Sequence, residues 1–257
     1  MLEDKLVTTN DGSHTLFSLK YNQHFHNTED GGFSEALHKH IIPAFSHSYN
    51  KKELNILDIC FGLGYNSFAT IFYILENKLD IKINIYSPEL DFDLIKSLQN
   101  FSYPKEFEKF KNIINQLSLN QKYEDEKIKI EIFIGDAREY LKTFPKDFFD
   151  IVYQDAFSSE VNKELWTKEY FEDIAARGYQ VEINTKSYHD LGTFYPNGRY
   201  FPLLRGLGIR VQVNSDSHYP ERINSGRLEA LRALKQAGYE TVMEMYNGVW
   251  QEMPIVL

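Results

Sequence analysis

Four stretches of the chain place residues able to do chemistry immediately after short apolar runs. Phe61-Gly62-Leu63-Gly64-Tyr65-Asn66 follows the run 54–60, Glu89 follows 81–87, Asp136-Ala137 follows 129–134, and Asp155 follows 149–154. Two glycines in a turn let the backbone bend tightly and approach a ligand closely. An acid some way downstream of such a turn, as Glu89 is, can accept hydrogen bonds from ribose hydroxyls, as in nucleotide-binding folds. Asp136 can accept from an adenine amino group. Asp155 can orient a nucleophile or take its proton. Each residue also has a plainer reading. A G-x-G can be a turn and nothing more, Asp155 can cap a following helix, and Tyr153 and Phe157 can be core aromatics as easily as stacking platforms. Four such strand ends in succession outweigh any one alone. Ser67 stands where a dinucleotide motif would have its third glycine, which argues for a cofactor without a pyrophosphate.

The elements that must position these residues follow a βα rhythm. Apolar runs at 54–60, 81–87, 129–134 and 149–154 read as strands. Between them, 67–75, 93–118 (broken by Pro104), 137–143 and 166–175 read as helices. Upstream, residues 32–42 read as a helix ended by Pro43, in a polar and aromatic segment with weak periodicity. Buried strands alternating with helices predict an α/β fold with a mostly parallel sheet. In such sheets ligands bind beyond the carboxyl ends of the strands, where the four stretches lie.

The chain has 257 residues, 42% of them apolar and 25% charged, as expected of a folded globular protein. No apolar run is long enough to cross a bilayer and nothing near Met1 resembles a signal peptide, so the sequence predicts a cytoplasmic protein with no membrane partner. The single cysteine, Cys60, excludes a disulfide scaffold and a cysteine-built zinc site. His24-Phe25-His26 has the H-x-H spacing of some metal sites, but surface or hydrogen-bonding histidines have it too. The net charge of −9 gives no general basic surface for nucleic acid.

That total is divided unevenly. Residues 1–175 hold 18 Lys and one Arg and carry −10, whereas residues 176–257 hold two Lys and seven Arg and carry +1. Lys and Arg serve equally on most solvated surfaces, so such segregation suggests two sequences of different origin meeting near residue 175.

The stretch Asp58-Ile59-Cys60-Phe61-Gly62-Leu63-Gly64-Tyr65-Asn66 resembles motif I of S-adenosylmethionine-dependent methyltransferases. Residues 1–175 as a whole are similar to the MnmC-type methyltransferase domain, most specifically in Tyr153-Gln154-Asp155-Ala156-Phe157-Ser158 and the following Asn162-Lys163-Glu164-Leu165-Trp166-Thr167. The resemblance implies a Rossmann-like fold, S-adenosylmethionine as cofactor, and the aminomethyl group of a tRNA wobble uridine as substrate. It implies that Phe61, Gly62, Gly64 and Asn66 shape the cofactor loop, that Glu89 binds ribose, that Asp136 with Ala137 holds adenine, and that Asp155 sits beside the target amine.

That family should continue with a glycine-containing turn, a fifth strand and a closing β-hairpin, which are not found in the sequence pattern. Residues 176–257 instead resemble the C-terminal part of PHP-family histidinol-phosphate phosphatases, through Glu182-Ile183-Asn184-Thr185, Gly192-Thr193-Phe194-Tyr195-Pro196 and Ser215-Asp216-Ser217-His218. This implies Asp216 and His218 as metal ligands, since residues two apart on an extended segment share a face. The further ligands of that family are absent, so a divalent metal is not expected. The expectation is a chimera: a methyltransferase-like part, 1–175, whose sheet is completed by a PHP-barrel-like βαβαβ segment, 176–257, with strands at 181–184, 209–214 and 240–246. The alternatives are a metal-dependent phosphatase fragment and a folded hybrid without activity.

Overall fold

The structure, a computed structural model, describes residues 5–47, 51–156, 161–215, 217 and 220–257. Contacts divide the chain into two compact units, Met1–Val161 and Asn162–Leu257. The division falls ahead of the composition break near residue 175. Trp166, Phe171 and Ile174 pack with Phe201 and Leu204 in the core of the second unit, so the helix Lys168–Ala176 belongs there.

The first unit opens with a small antiparallel sheet, β1 (Lys5–Thr8), β2 (His14–Ser18) and β3 (Gln23–His24). The main sheet contains β4 (Glu53–Ile59), β5 (Lys82–Glu89), β6 (Lys122–Glu124), β7 (Ile128–Ile134) and β8 (Ile151–Gln154), in the order β6-β7-β5-β4-β8. All pairs are parallel except β6 with β7. Register sets Ile130, Ile85, Ile56 and Ile151 side by side across four strands. All four are buried, and each contributes roughly 1.5–3 kcal/mol of apolar burial. The chain runs outward from β4 to β5 and β7, then returns to place β8 on the other side of β4. This reversal puts a topological switch point at the carboxyl ends of β4 and β8, the place where ligands bind in open α/β sheets.

The predicted helix at 32–42 does not end at Pro43. It runs from Gly32–Glu35 through a π-helical turn, Ala36–Ile41, into Ile42–His47. Pro43 therefore lies inside a continuous helical run, directly after the π-helical turn.

The second unit contains β9 (Val181–Asn184), β10 (Val211–Asn214), β11 (Thr241–Tyr246) and β12 (Val249–Pro254). The closing hairpin that the sequence reading took to be missing is present: β11 and β12 pair antiparallel. They are joined by Asn247-Gly248, both in the left-handed region, the Asn-Gly signature of a tight hairpin turn. The three predicted strands form, but they do not extend the main sheet. β9 pairs in parallel with β10, Ile183 opposite Val213, while Asn184 turns its N–H and carbonyl to Tyr195 at 2.7 and 3.0 Å. One edge of β9 is thus paired along its length with β10, and the other bonds to Tyr195 at Asn184. Arg227 ties β10 to β11, donating to the Val213 carbonyl at 2.8 Å and to Glu244.

Candidate functional site

The site is built around the turn between β4 and the helix Tyr65–Glu76. Cys60, Gly62 and Gly64 all have positive φ, at 67°, 54° and 75°. At Gly64 glycine is also required by space, because a Cβ there would lie 2.6 Å from the Phe68 ring and 2.8 Å from that of Phe61. Phe61 is buried under the turn, its ring edge-on to Phe68. Tyr103 pins the turn by donating to the Leu63 carbonyl at 2.7 Å.

Glu89, at the end of β5, reaches back to this turn. Its Oε2 accepts from the Gly62 N–H at 2.9 Å and its Oε1 from the Asp91 N–H at 2.9 Å. Burial pushes the Glu89 carboxyl up, against the pull of these N–H donors. The Gly135 N–H donates to the Glu89 carbonyl at 2.9 Å, so the ends of β4, β5 and β7 are joined in a row.

A polar group lies on the β8 side. Asp58 of β4 is buried and accepts from Ser67 Oγ at 2.7 Å and Asn66 Nδ2 at 3.3 Å. Burial pushes the Asp58 carboxyl up to about 7. Asn66 Nδ2 also donates to Asp155 Oδ2 at 3.1 Å. The same residue thus bridges two carboxylates, beyond the loop-shaping role read from the sequence. Burial alone would raise the Asp155 carboxyl, but His40 and His26 when protonated, together with Lys39, oppose it and hold that group well below the usual carboxylate range. His40 Nε2 is 3.6 Å and Lys39 Nζ 3.9 Å from Asp155 Oδ1. His40 and Lys39 have no local signature as site residues, and His26 is marked only by its H-x-H spacing; the fold brings His40 and Lys39 to Asp155.

Asp136 stands apart from this group. It caps the helix Ala137–Lys142, accepting from the Arg138 N–H at 2.8 Å, and its Oδ2 meets the Arg138 guanidinium at 2.6 Å. Asp136 is thus a helix cap, a role that the sequence reading considered only for Asp155. Ala137 is the buried first residue of that helix. His24 and His26 do not converge: His24 is exposed and edge-on to Phe17, whereas His26 lies against Tyr65. Asp216 and His218 lie outside the described residues, as do Phe157 and Ser158 of the distinctive motif. Among the described residues no His, Cys, Asp and Glu side chains group as a metal site, and no helix is long and apolar enough to cross a membrane.

Comparison with known proteins agrees with this geometry. Residues 103–183 match the model of an S-adenosyl-L-methionine-dependent methyltransferase family. The matched segment carries Asp136, Tyr153 and Asp155, and it continues through the composition break into β9. The crystal structure of MnmC2 from Aquifex aeolicus superposes on 98% of this chain and 69% of its own, with a TM-score of 0.61 and 23% sequence identity. That similarity is one of fold, and it runs through residues 176–257, where the sequence suggested a phosphatase-like tail. An uncharacterized protein of Methanocaldococcus jannaschii, MJ0670, is 28% identical over 178 residues, 68% of this chain. The match spans about half of that relative, 48% of its length. The glycine turn, Glu89 and Asp155 thus sit at the carboxyl ends of β4, β5 and β8.

Proposed function

We propose that the chain is an S-adenosylmethionine-dependent methyltransferase acting on an amine, the aminomethyl group of a tRNA wobble uridine. The observation that carries this reading is the pairing, at one end of one sheet, of a left-handed glycine turn hydrogen-bonded to Glu89 with an aspartate at the neighbouring strand end that accepts from Asn66. The residues fit the cofactor. The turn takes its shape from the positive φ of Gly62 and Gly64, and Glu89 offers two carboxylate oxygens, both already accepting from backbone N–H groups, to the ribose hydroxyls. Asp136 and Ala137, at the end of β7, would face the adenine, with Asp136 first releasing Arg138.

Bound S-adenosylmethionine supplies a methyl group on a sulfonium, and transfer to an amine is an in-line displacement in which positioning provides most of the rate. Asp155 holds the amine by accepting from it, and Asn66 fixes the free turn of that carboxylate. Calorimetry with S-adenosylmethionine and its demethylated product tests the cofactor, and tritium transfer to hypomodified tRNA tests the substrate. Absence of binding by either nucleoside would sink the reading, and binding without transfer to tRNA would restrict it to another amine.

A further inference from the structure

His40, His26 and Lys39, packed around Asp155, form a cluster of titratable side chains that cofactor binding does not use. His40 lies on the π-helical turn Ala36–Ile41, a rare conformation found mostly at functional sites. Its Nε2 is buried and has no hydrogen-bond partner among the described residues, lying 3.6 Å from Asp155 Oδ1. Its ring packs 5.7 Å from that of Tyr153. A buried ring nitrogen left unpaired is costly, and hydrogen bonds of this kind are often long before substrate arrives and shorten afterwards. Asp155 is the more accessible partner, with 20% of its side chain exposed against 11% for His40.

We propose that His40 is a positioning residue of the methyl-transfer reaction, acting through Asp155 and receiving the proton that the substrate amine gives up. This rests on the function proposed above. An aminomethyl group in water is an ammonium and must lose one proton before its nitrogen can attack. That proton passes to Asp155 Oδ1 and on to His40 Nε2. The freed nitrogen pair forms the N–C bond as the C–S bond breaks, and the sulfur keeps that bond's electrons as a thioether. The product is a methylated ammonium, and His40 returns its proton to water.

Asp155 is a poor resting place for the proton. Lys39 Nζ, 3.9 Å away, adds positive charge beside it, although Glu35 shares that lysine at 3.5 Å. Imidazole is the side chain suited to exchanging a proton near neutral pH. The other groups facing the pair are His26, whose protonation burial opposes, Asp58, and the Tyr153 hydroxyl, whose ionisation burial opposes.

The test uses the full chain, tritiated S-adenosylmethionine and tRNA carrying the unmethylated aminomethyl uridine. His40→Asn and His40→Gln should lower kcat at pH 7 by about 100-fold, the range for a lost proton acceptor. Both should leave the Kd for S-adenosylhomocysteine and the KM for tRNA near the wild-type values, which also shows that the variants fold. The acidic limb of the kcat profile should move to higher pH in both, toward the ionisation of the bound amine itself. Asp155→Asn should cost a similar factor, and the double variant little more, because the two residues act as a unit. An active wild type with His40 variants that keep its rate and acidic limb overturns this role alone. A wild type that binds S-adenosylhomocysteine but methylates no amine on tRNA overturns the function and this role together.

Discussion

The Gly62 N–H donates to Glu89 Oε2 at 2.9 Å, joining the turn after β4 to the end of β5. Glu89 therefore has two duties, to hold the turn in shape and to offer oxygens to a ribose. Glu89→Ala should weaken S-adenosylmethionine binding at least about tenfold, or about 1.4 kcal/mol, measured by calorimetry. It should also lower stability by about 1–3 kcal/mol, since the Gly62 and Asp91 N–H groups lose their partner. Glu89→Gln keeps one acceptor and should fall between the two. Unchanged affinity in Glu89→Ala would remove the ribose from this carboxylate.

Asp58 gives a pH dependence whose sign is fixed by burial. Its folded carboxyl titrates near 7, against 3.8 for the ordinary group. Between those values the folded state holds a proton that the unfolded chain has released. This contribution to stability is complete below about pH 4 and is lost as the pH rises through 7, at a slope of up to about 1.4 kcal/mol per pH unit. Asp58→Asn removes the ionisation but keeps an acceptor for Ser67. The stability of this variant relative to wild type, from urea unfolding, should improve steadily from pH 4 to 7 and level off above. A difference independent of pH would show that Asp58 is charged in the fold throughout.

The main sheet and its four strand-end stretches were legible because buried parallel strands are apolar runs and the turn residues follow them directly. Asp155 was legible for the same reason, being the first residue past β8. His40 was not, because nothing near it in sequence marks a π-turn or anticipates an aspartate on a distant strand. Asp136 was placed correctly at a strand end, but its engagement depends on Arg138, two residues on, which competes for the same oxygens. The terminal hairpin is marked in the sequence by Asn247-Gly248 alone, because β12 is almost wholly exposed and shows no apolar run.

Asp136 and Arg138 separate a cap from a ligand contact. The carboxylate satisfies the first turn of Ala137–Lys142 and binds the guanidinium at 2.6 Å. Asp136→Ala should cost about 1 kcal/mol, the usual loss on removing an N-cap, whereas Asp136→Asn, which still caps, should cost much less. Arg138→Ala leaves the cap intact and frees the carboxylate. If Asp136 accepts from the adenine amino group, this variant should bind S-adenosylmethionine more tightly in calorimetry. Equal affinity in Arg138→Ala and wild type would make Asp136 a cap only.

Cys60 is the one non-glycine residue in the glycine turn with a left-handed backbone, at φ 67°. A side chain there costs about 1–2 kcal/mol. Glycine relieves that strain but loses roughly 0.5–1 kcal/mol of its own in added unfolded-state entropy. The strain is the larger quantity, so Cys60→Gly should stabilise the protein by about 0.5–1 kcal/mol, seen as a rise in Tm. Cys60→Val should lower stability by more than Cys60→Gly raises it, because a β-branched side chain fits this region worst. Cofactor affinity should change little in Cys60→Gly, as the Gly62 N–H keeps its bond to Glu89. A Cys60→Gly variant less stable than wild type would mean that contacts of the thiol outweigh the backbone strain.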